Sequence, residues 1–375
     1  MPYGTVNADS ITDSNGSVFS PSSSLFKNRL INGAMSISQG AAGATITPAV
    51  TSAYATNYPV DRFQVIVGAA SKLTTAQSST AATGFNFSTL ITSSSAYTVG
   101  AGEVFVIRQS IEGFNTADLA FGTANAASVT LSFWVRSSLT GTFGGSLQNS
   151  ASDRSYPFTY TISSANTFEK KTVTIAGDTS GTWIGATNGI GLRVNFGLGV
   201  GSTFSGTAGA WAAGDFDSAT GATSVVGTNG ATFYITGVQL EKGTTATSFD
   251  YRPYGTEMQL CQRYYEKSYD INAVPGTGTN IYSNKTLSST AFILSQSFFP
   301  CKVAKRASGG TVTIYSYNAG ASGFTGESNT GGVYVADRAV SVNYISSNGF
   351  GFQAAAGAFT VGNFQSFEWA LSSEL

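Results

Sequence analysis

The sequence predicts an all-β protein, and three observations carry that expectation. Apolar residues recur at every second position in run after run between Asn28 and Tyr254, and again beyond Asp270. Connectors rich in Gly, Ser, Thr and Asn separate the runs, which is the punctuation of a β-sandwich or barrel rather than of alternating strands and helices. One segment alone offers a good helical period.

The elements follow in chain order. Residues 1–27 are polar, carry Gly16, Pro21 and the run Ser22–Ser24, and have little apolar surface to bury; they read as an extended arm that orders against a partner. Residues 28–254 form the first β-domain. In Asp61–Gly68, Phe63, Val65 and Val67 share a face, and in Val129–Ser137 the inward row is Val129, Leu131, Phe133 and Val135. Tyr156, Phe158, Tyr160 and Ile162 alternate with polar residues, and Val173 and Ile175 share a face. Ile190, Leu192, Val194, Phe196, Leu198 and Val200 make an unbroken row. In Ala231–Glu241 the parity switches between Ile235 and Val238, which predicts a bulge at Gly237. Residues 255–269 predict a linking helix: Glu257 sits in its first turn, and Leu260, Cys261, Tyr264 and Tyr265 make a stripe. Residues 270–375 form a second, smaller β-domain with candidate strands Thr290–Phe299, Thr311–Tyr317, Val333–Val335, Ala339–Ile345, Gly349–Phe352 and Phe364–Leu371.

Composition narrows function. The chain has no histidine, which excludes His-based triads, imidazole metal ligands and the usual switch near neutral pH. Its 19 basic and 20 acidic side chains leave a net charge of −1, so no basic footprint for nucleic acid exists. Charged residues are 10% of the chain, against about 25% in an ordinary soluble domain. Cys261 and Cys301 are too few for a zinc site or a disulfide framework, and both read as small buried hydrophobes. No apolar run reaches about 18 residues, so no transmembrane helix is expected, and MPYGTVNADSITDSNG lacks the basic start and apolar stretch of a secretory signal. Gly197–Gly201 (GLGVG) has the wrong spacing for a dinucleotide loop and reads as a glycine-rich strand end.

Several segments resemble bacteriophage structural proteins of the tail-fibre and appendage type, from marine or cyanobacterial phages. Gly4–Ser10 (GTVNADS) with Asn28–Met35 (NRLINGAM) is similar to the arm and first strand of such chains. Leu131–Asn149 with Phe233–Asp250 (FYITGVQLEKGTTATSFD) is similar to a jelly roll of the carbohydrate-binding-module type. Tyr251–Tyr265 (YRPYGTEMQLCQRYY) resembles the join between such a jelly roll and a second β-domain, and Phe299–Ala307 and Phe367–Leu375 extend the resemblance to the C-terminal half. It implies a β-sandwich jelly roll, a linking helix and a smaller β-sandwich-like domain in a non-enzymatic virion protein. That protein would dock on other virion proteins through residues 1–27, assemble as a homo-oligomer, most simply a trimer, and contact host-surface glycan. The alternatives are a head-decorating or fibre-base protein without a ligand, and a polysaccharide depolymerase.

The candidate binding residues are Trp211, Asp215, Asp217, Trp183, Trp134 and Arg136. The connector 201–230 is the longest in the chain and carries Trp211, Asp215 and Asp217; a tryptophan face stacks on a sugar ring while carboxylates accept its hydroxyls. A subunit contact or an ordered loop tip is the competing reading. Asp215 and Asp217, two apart, also offer oxygens to a structural Ca²⁺ of the kind found in jelly rolls of the resembled type, although Ca²⁺ needs about 6–8 of them. Trp134 and Arg136 share the face opposite the inward row, as a sugar platform, a cation–π pair or a subunit contact. Trp183 lies in a turn-like stretch, and Trp369 falls on an apolar strand face as a core residue.

Overall fold

A computed structural model describes residues 11–12, 18–19, 26–48, 54–278, 284–287, 298–354 and 360–375. The predicted N-terminal arm lies almost wholly outside them; its described pieces include a short antiparallel pair, β1 (Ile11–Thr12) with β2 (Val18–Phe19). The chain divides into two compact units. The first comprises residues 1–36, 47–57 and 65–253, and the second residues 37–46, 58–64 and 254–375.

The first unit is a two-sheet jelly-roll sandwich. Its strands in chain order are β3 (Ala55–Val60), β4 (Phe63–Val67), β5 (Leu73–Ser78), β6 (Ser88–Ser93), β7 (Val104–Glu112), β8 (Val129–Ser137), β9 (Gly141–Gln148), β10 (Arg154–Ile162), β11 (Glu169–Ile175) and β12 (Ile190–Val200). Within the long connector come the short β13 (Ser205–Gly206), β14 (Ala212–Ala213) and β15 (Ser218–Ala219), and then β16 (Thr232–Lys242). One sheet runs β14-β10-β9-β12-β7-β4-β3 and the other β11-β8-β16-β6-β5. The turn end of the β3–β4 hairpin, Tyr58–Gln64, belongs to the second unit.

The inward rows follow the predicted alternation except at the ends of β12. There the register on β7 shifts between Ile190 and Leu192 and between Gly197 and Gly199, so that the row is not unbroken and Val200 packs instead with Ile66, Val104 and Val106. Val129, Leu131, Phe133, Val135, Leu192, Val194, Phe196 and Leu198 are buried from both sheets, and their aromatic members interlock with Phe133 edge-on to Tyr160 at 4.9 Å and to Phe196 at 5.0 Å. Such edge-to-face pairs add to the stabilisation that burial alone gives. The register of β16 on β8 shifts between Thr236 and Gln239, and Gly237, at φ +60, carries the predicted bulge.

Residues 28–35 differ from the expected first strand: they form turns, with Asn32 and Met35 at positive φ. The Asn28 amide explains this. It donates to the Val238 carbonyl at 3.0 Å and accepts from Leu240 N at 3.0 Å, so a side chain sits between the two backbone bonds, Arg29 N to Leu240 O and Val238 N to Gly33 O, that dock the segment on β16.

The C-terminal stretch of the second unit begins with α1 (Tyr254–Gln262), the one α-helix among the described residues, followed by β17 (Tyr265–Lys267). The helix ends seven residues short of the expected boundary. Tyr265 and Lys267 pair with Ser372 and Ala370 of the last strand, so sheet pairing overrides the helical spacing of Leu260, Tyr264 and Tyr265. The remaining strands are β18 (Asn284–Leu287), β19 (Phe299–Pro300), β20 (Thr311–Ser316), β21 (Phe324–Ser328), β22 (Tyr334–Ser346), β23 (Gly349–Ala354) and β24 (Phe364–Ser372). The expected strand Thr290–Phe299 lies outside the described residues except at its end. The expected strands Val333–Val335 and Ala339–Ile345 are, from Tyr334 onward, one 13-residue strand rather than two: Asp337 and Arg338, which interrupt the apolar pattern, pair across to β21, where the Arg338 guanidinium meets Glu327 at 2.5 Å. The core of this unit is Ile314, Phe350, Phe352, Phe367, Trp369 and Leu371, which places Trp369 inside as its parity predicts. Cys261 is buried, Cys301 half-buried, and the two do not form a disulfide.

Candidate binding groove

The candidate residues fall into three separate places. Trp183 and Trp211 come together. Their rings meet at 5.6 Å and near-perpendicular planes, Phe121 packs edge-on against both, at 4.8 and 5.8 Å, and Tyr156 reaches Trp211 at 5.5 Å. Burial pushes the Tyr156 hydroxyl above its ordinary pKa, so it stays protonated through the physiological range. Each indole N–H is tied to a backbone carbonyl, Trp183 to Ser180 at 3.2 Å and Trp211 to Ala176 at 2.7 Å. The rings are therefore oriented by their edges.

The local sequence explains why the loops hold. After β7 the chain makes two short 3-10 turns, Gly113–Asn115 and Ala117–Leu119, and Gly122 follows at φ +81. A Cβ on Gly122 would lie 2.9 Å from both the Gly181 carbonyl and the Trp183 ring, so only glycine lets the indole sit there. The facing loop is pinned by Asp178, which takes two hydrogen bonds from Arg154, at 2.8 and 2.7 Å, and whose carbonyl accepts from Gly122 N at 2.7 Å. Between these loops lies a groove of about 370 Å³, walled by Phe121, Trp183, Ile184 and Leu192 with Thr116 and Thr123 as side-chain hydroxyls. That volume is within the roughly 300–1,000 Å³ range of small-molecule sites.

Asp215 and Asp217 lie elsewhere. The connector 201–230 folds back over the outer face of the seven-stranded sheet, where Ser218 comes so close to Gly144 and Gly197 that a Cβ on either would sit 2.5 Å from its hydroxyl. The GLGVG stretch is thus a strand whose first glycine admits the connector. Asp217 is buried and its carboxylate meets the Arg108 guanidinium at 2.5 Å, while Asp215 accepts from Gln148 Nε2 at 2.9 Å. Asn195 joins the layer, accepting from Arg108 at 2.6 Å and donating to Gln148 at 2.9 Å. Burial raises the Asp217 pKa above the usual carboxylate value even beside Arg108. These two carboxylates have protein partners, and no cluster of three or more acidic or thiol ligands suited to a metal occurs among the described residues.

Trp134 and Arg136 project from β8 away from the core, on the other sheet. The Arg136 guanidinium lies 4.8 Å over the Tyr234 ring and 5.9 Å from Phe168, and its Nε donates to the Asn166 carbonyl at 2.9 Å. The cation–π partner is therefore Tyr234, a cross-strand neighbour, rather than Trp134. Phe121 and Ile184 were not singled out by sequence, and Leu192 only as a core-row residue; the glycines near Phe121 and Trp183 were the available signal.

No protein-family model matches the chain, and no curated protein matches it. Among solved structures it is similar to the enzymatically active domain of bacteriophage CBA120 tailspike protein 4 (12% identity, 59% of this chain and 22% of that chain, TM-score 0.29). It is also similar to a CBM4 structure (13% identity, 56% and 98%, TM-score 0.28). A third is the family 11 carbohydrate-binding module of Clostridium thermocellum in complex with a mixed-linked tetrasaccharide (8% identity, 50% and 91%, TM-score 0.28). The chain spans about a fifth of the tailspike domain's length. The fold class rests on the strand topology itself.

Proposed function

We propose that this chain is a non-enzymatic phage virion protein, a tail-fibre or receptor-binding component that contacts host-surface glycan through the Trp183 groove. The observation that carries the glycan reading is the groove: an indole held by its edge, a second aromatic wall and two hydroxyls, in a space of small-molecule size. The virion reading rests on the resemblance of GTVNADS, NRLINGAM and YRPYGTEMQLCQRYY to phage appendage chains. In it, residues 1–27 dock on the particle, the chain is a homotrimer, and weak single-site binding is multiplied across copies.

The test joins two measurements. Purified chain is screened against saccharides by tryptophan fluorescence and saturation-transfer NMR, with Trp183→Ala alongside; binding by the parent and loss in the variant is the expected result. Particles lacking the chain are then assayed for adsorption. Normal adsorption overturns the receptor-binding role, and saccharide binding unaffected by Trp183→Ala overturns the site.

A further inference from the structure

We infer that the saccharide taken by the Trp183 groove is uncharged and carries a methyl group, as a 6-deoxyhexose or an N-acetylhexosamine does, rather than being a fully hydroxylated hexose or a uronic acid. This rests on the glycan reading above and adds the chemistry of the sugar. The walls are mostly aliphatic and aromatic: Ala117, Ala120, Ile184 and Leu192 surround the two rings. The two side-chain hydroxyls have already committed their protons within the loop and can only accept from a sugar. Thr123 Oγ1 donates to the Ala120 carbonyl at 2.7 Å and accepts from Asn125 N, and Thr116 Oγ1 donates to the Gly113 carbonyl at 3.3 Å. A hexose with every hydroxyl present would bury some of them without partners, whereas a methyl group finds apolar wall.

Charge points the same way. None of the residues lining the groove is ionisable. The nearest charged side chain in sequence, Asp118, holds Arg29 through two 2.8 Å hydrogen bonds and Lys242 at 3.5 Å. No cation lines the groove itself to pair with a sugar carboxylate, whose desolvation there would go uncompensated.

The experiment uses the full chain. Methyl glycosides of rhamnose, fucose and N-acetylglucosamine are titrated against those of mannose, galactose, glucose and glucuronic acid, by tryptophan fluorescence and saturation-transfer NMR. The methyl-bearing sugars should bind about tenfold more tightly than their hydroxylated counterparts, the scale of one methylene in an apolar pocket, with the strongest transfer at the methyl protons. The rhamnose and fucose arms against the N-acetyl arm tell which methyl is read. Ala117→Asn, at an exposed position on the groove wall, should erase the preference, with an unchanged melting midpoint as the control for folding. Equal or tighter binding of the hydroxylated sugars or the glucuronide overturns this inference and leaves the glycan reading standing; no binding of any sugar overturns both.

Discussion

Replacing Tyr160 by phenylalanine should stabilise the first unit. Tyr160 is buried among Phe133, Phe143 and Phe158, and its hydroxyl oxygen has no hydrogen-bond partner. An unsatisfied buried hydroxyl costs about 1–3 kcal/mol, and removing it leaves only a small void to set against that gain. A net gain of about 1 kcal/mol would raise the midpoint by about 2–4 °C for a domain of this size. The pH dependence gives a second handle. Burial pushes the phenol pKa well above 10, so the folded state holds its proton where the unfolded chain releases it. This contribution is fully present below pH 10 and is lost as pH rises beyond it, so the advantage of the Phe variant should widen in alkali. Differential scanning calorimetry at pH 7 and urea denaturation at pH 7 and 10.5 measure both effects. A variant destabilised by 1 kcal/mol or more would refute the reasoning, since it would mean the hydroxyl is satisfied.

Other expectations test other parts of the molecule. Glu266 and Lys305 form a fully buried ion pair at 2.6 Å, so Lys305→Met should cost the second unit about 3–5 kcal/mol in urea, and adding Glu266→Leu should restore much of it. Burial lowers the Lys267 pKa to about 8, so the folded state binds fewer protons than the unfolded chain between pH 8 and 10.5. Stability from this group should therefore rise with pH across that window, a slope that Lys267→Met should flatten in a pH series of melts. Gly122→Ala combines a positive φ with a clash on the Trp183 ring and should cost at least about 1 kcal/mol, with a changed near-ultraviolet circular dichroism band.

The strands with strict alternation were legible because burial on one face imposes period 2, and Val129–Ser137 shows it most plainly, whereas the two register shifts in Ile190–Val200 leave no mark in its parity. The bulge at Gly237 was legible from a parity switch at a glycine. The end of α1 was not, because Tyr264 and Tyr265 suit a helix stripe as well as a strand and only the partner strand decides. β21 escaped notice because FTGES has one large apolar residue; its Glu327 and Thr325 are buried by hydrogen bonds to Asn363 and Gln365, which sequence spacing does not reveal. Of the candidate site, the types of residue were readable and their grouping was not. Trp183 and Trp211 are 28 positions apart and meet through loop closure, whereas Asp217, only six positions from Trp211, turns inward to Arg108.

The buried charges carry a last consequence. Asp61, Arg62, Glu112, Asp178, Asp217, Glu241, Glu266, Lys267, Lys305, Glu327 and Glu368 all lie inside the fold, in a chain that has few charges to begin with. Eight of these eleven are acidic and three basic, so burial withdraws more negative than positive charge, and the surface is more basic than the net charge of −1 suggests. A surface of that kind draws anions through a field that dissolved ions screen. Whatever acidic partner the protein touches, it should hold more tightly in dilute buffer than in water as salty as the sea.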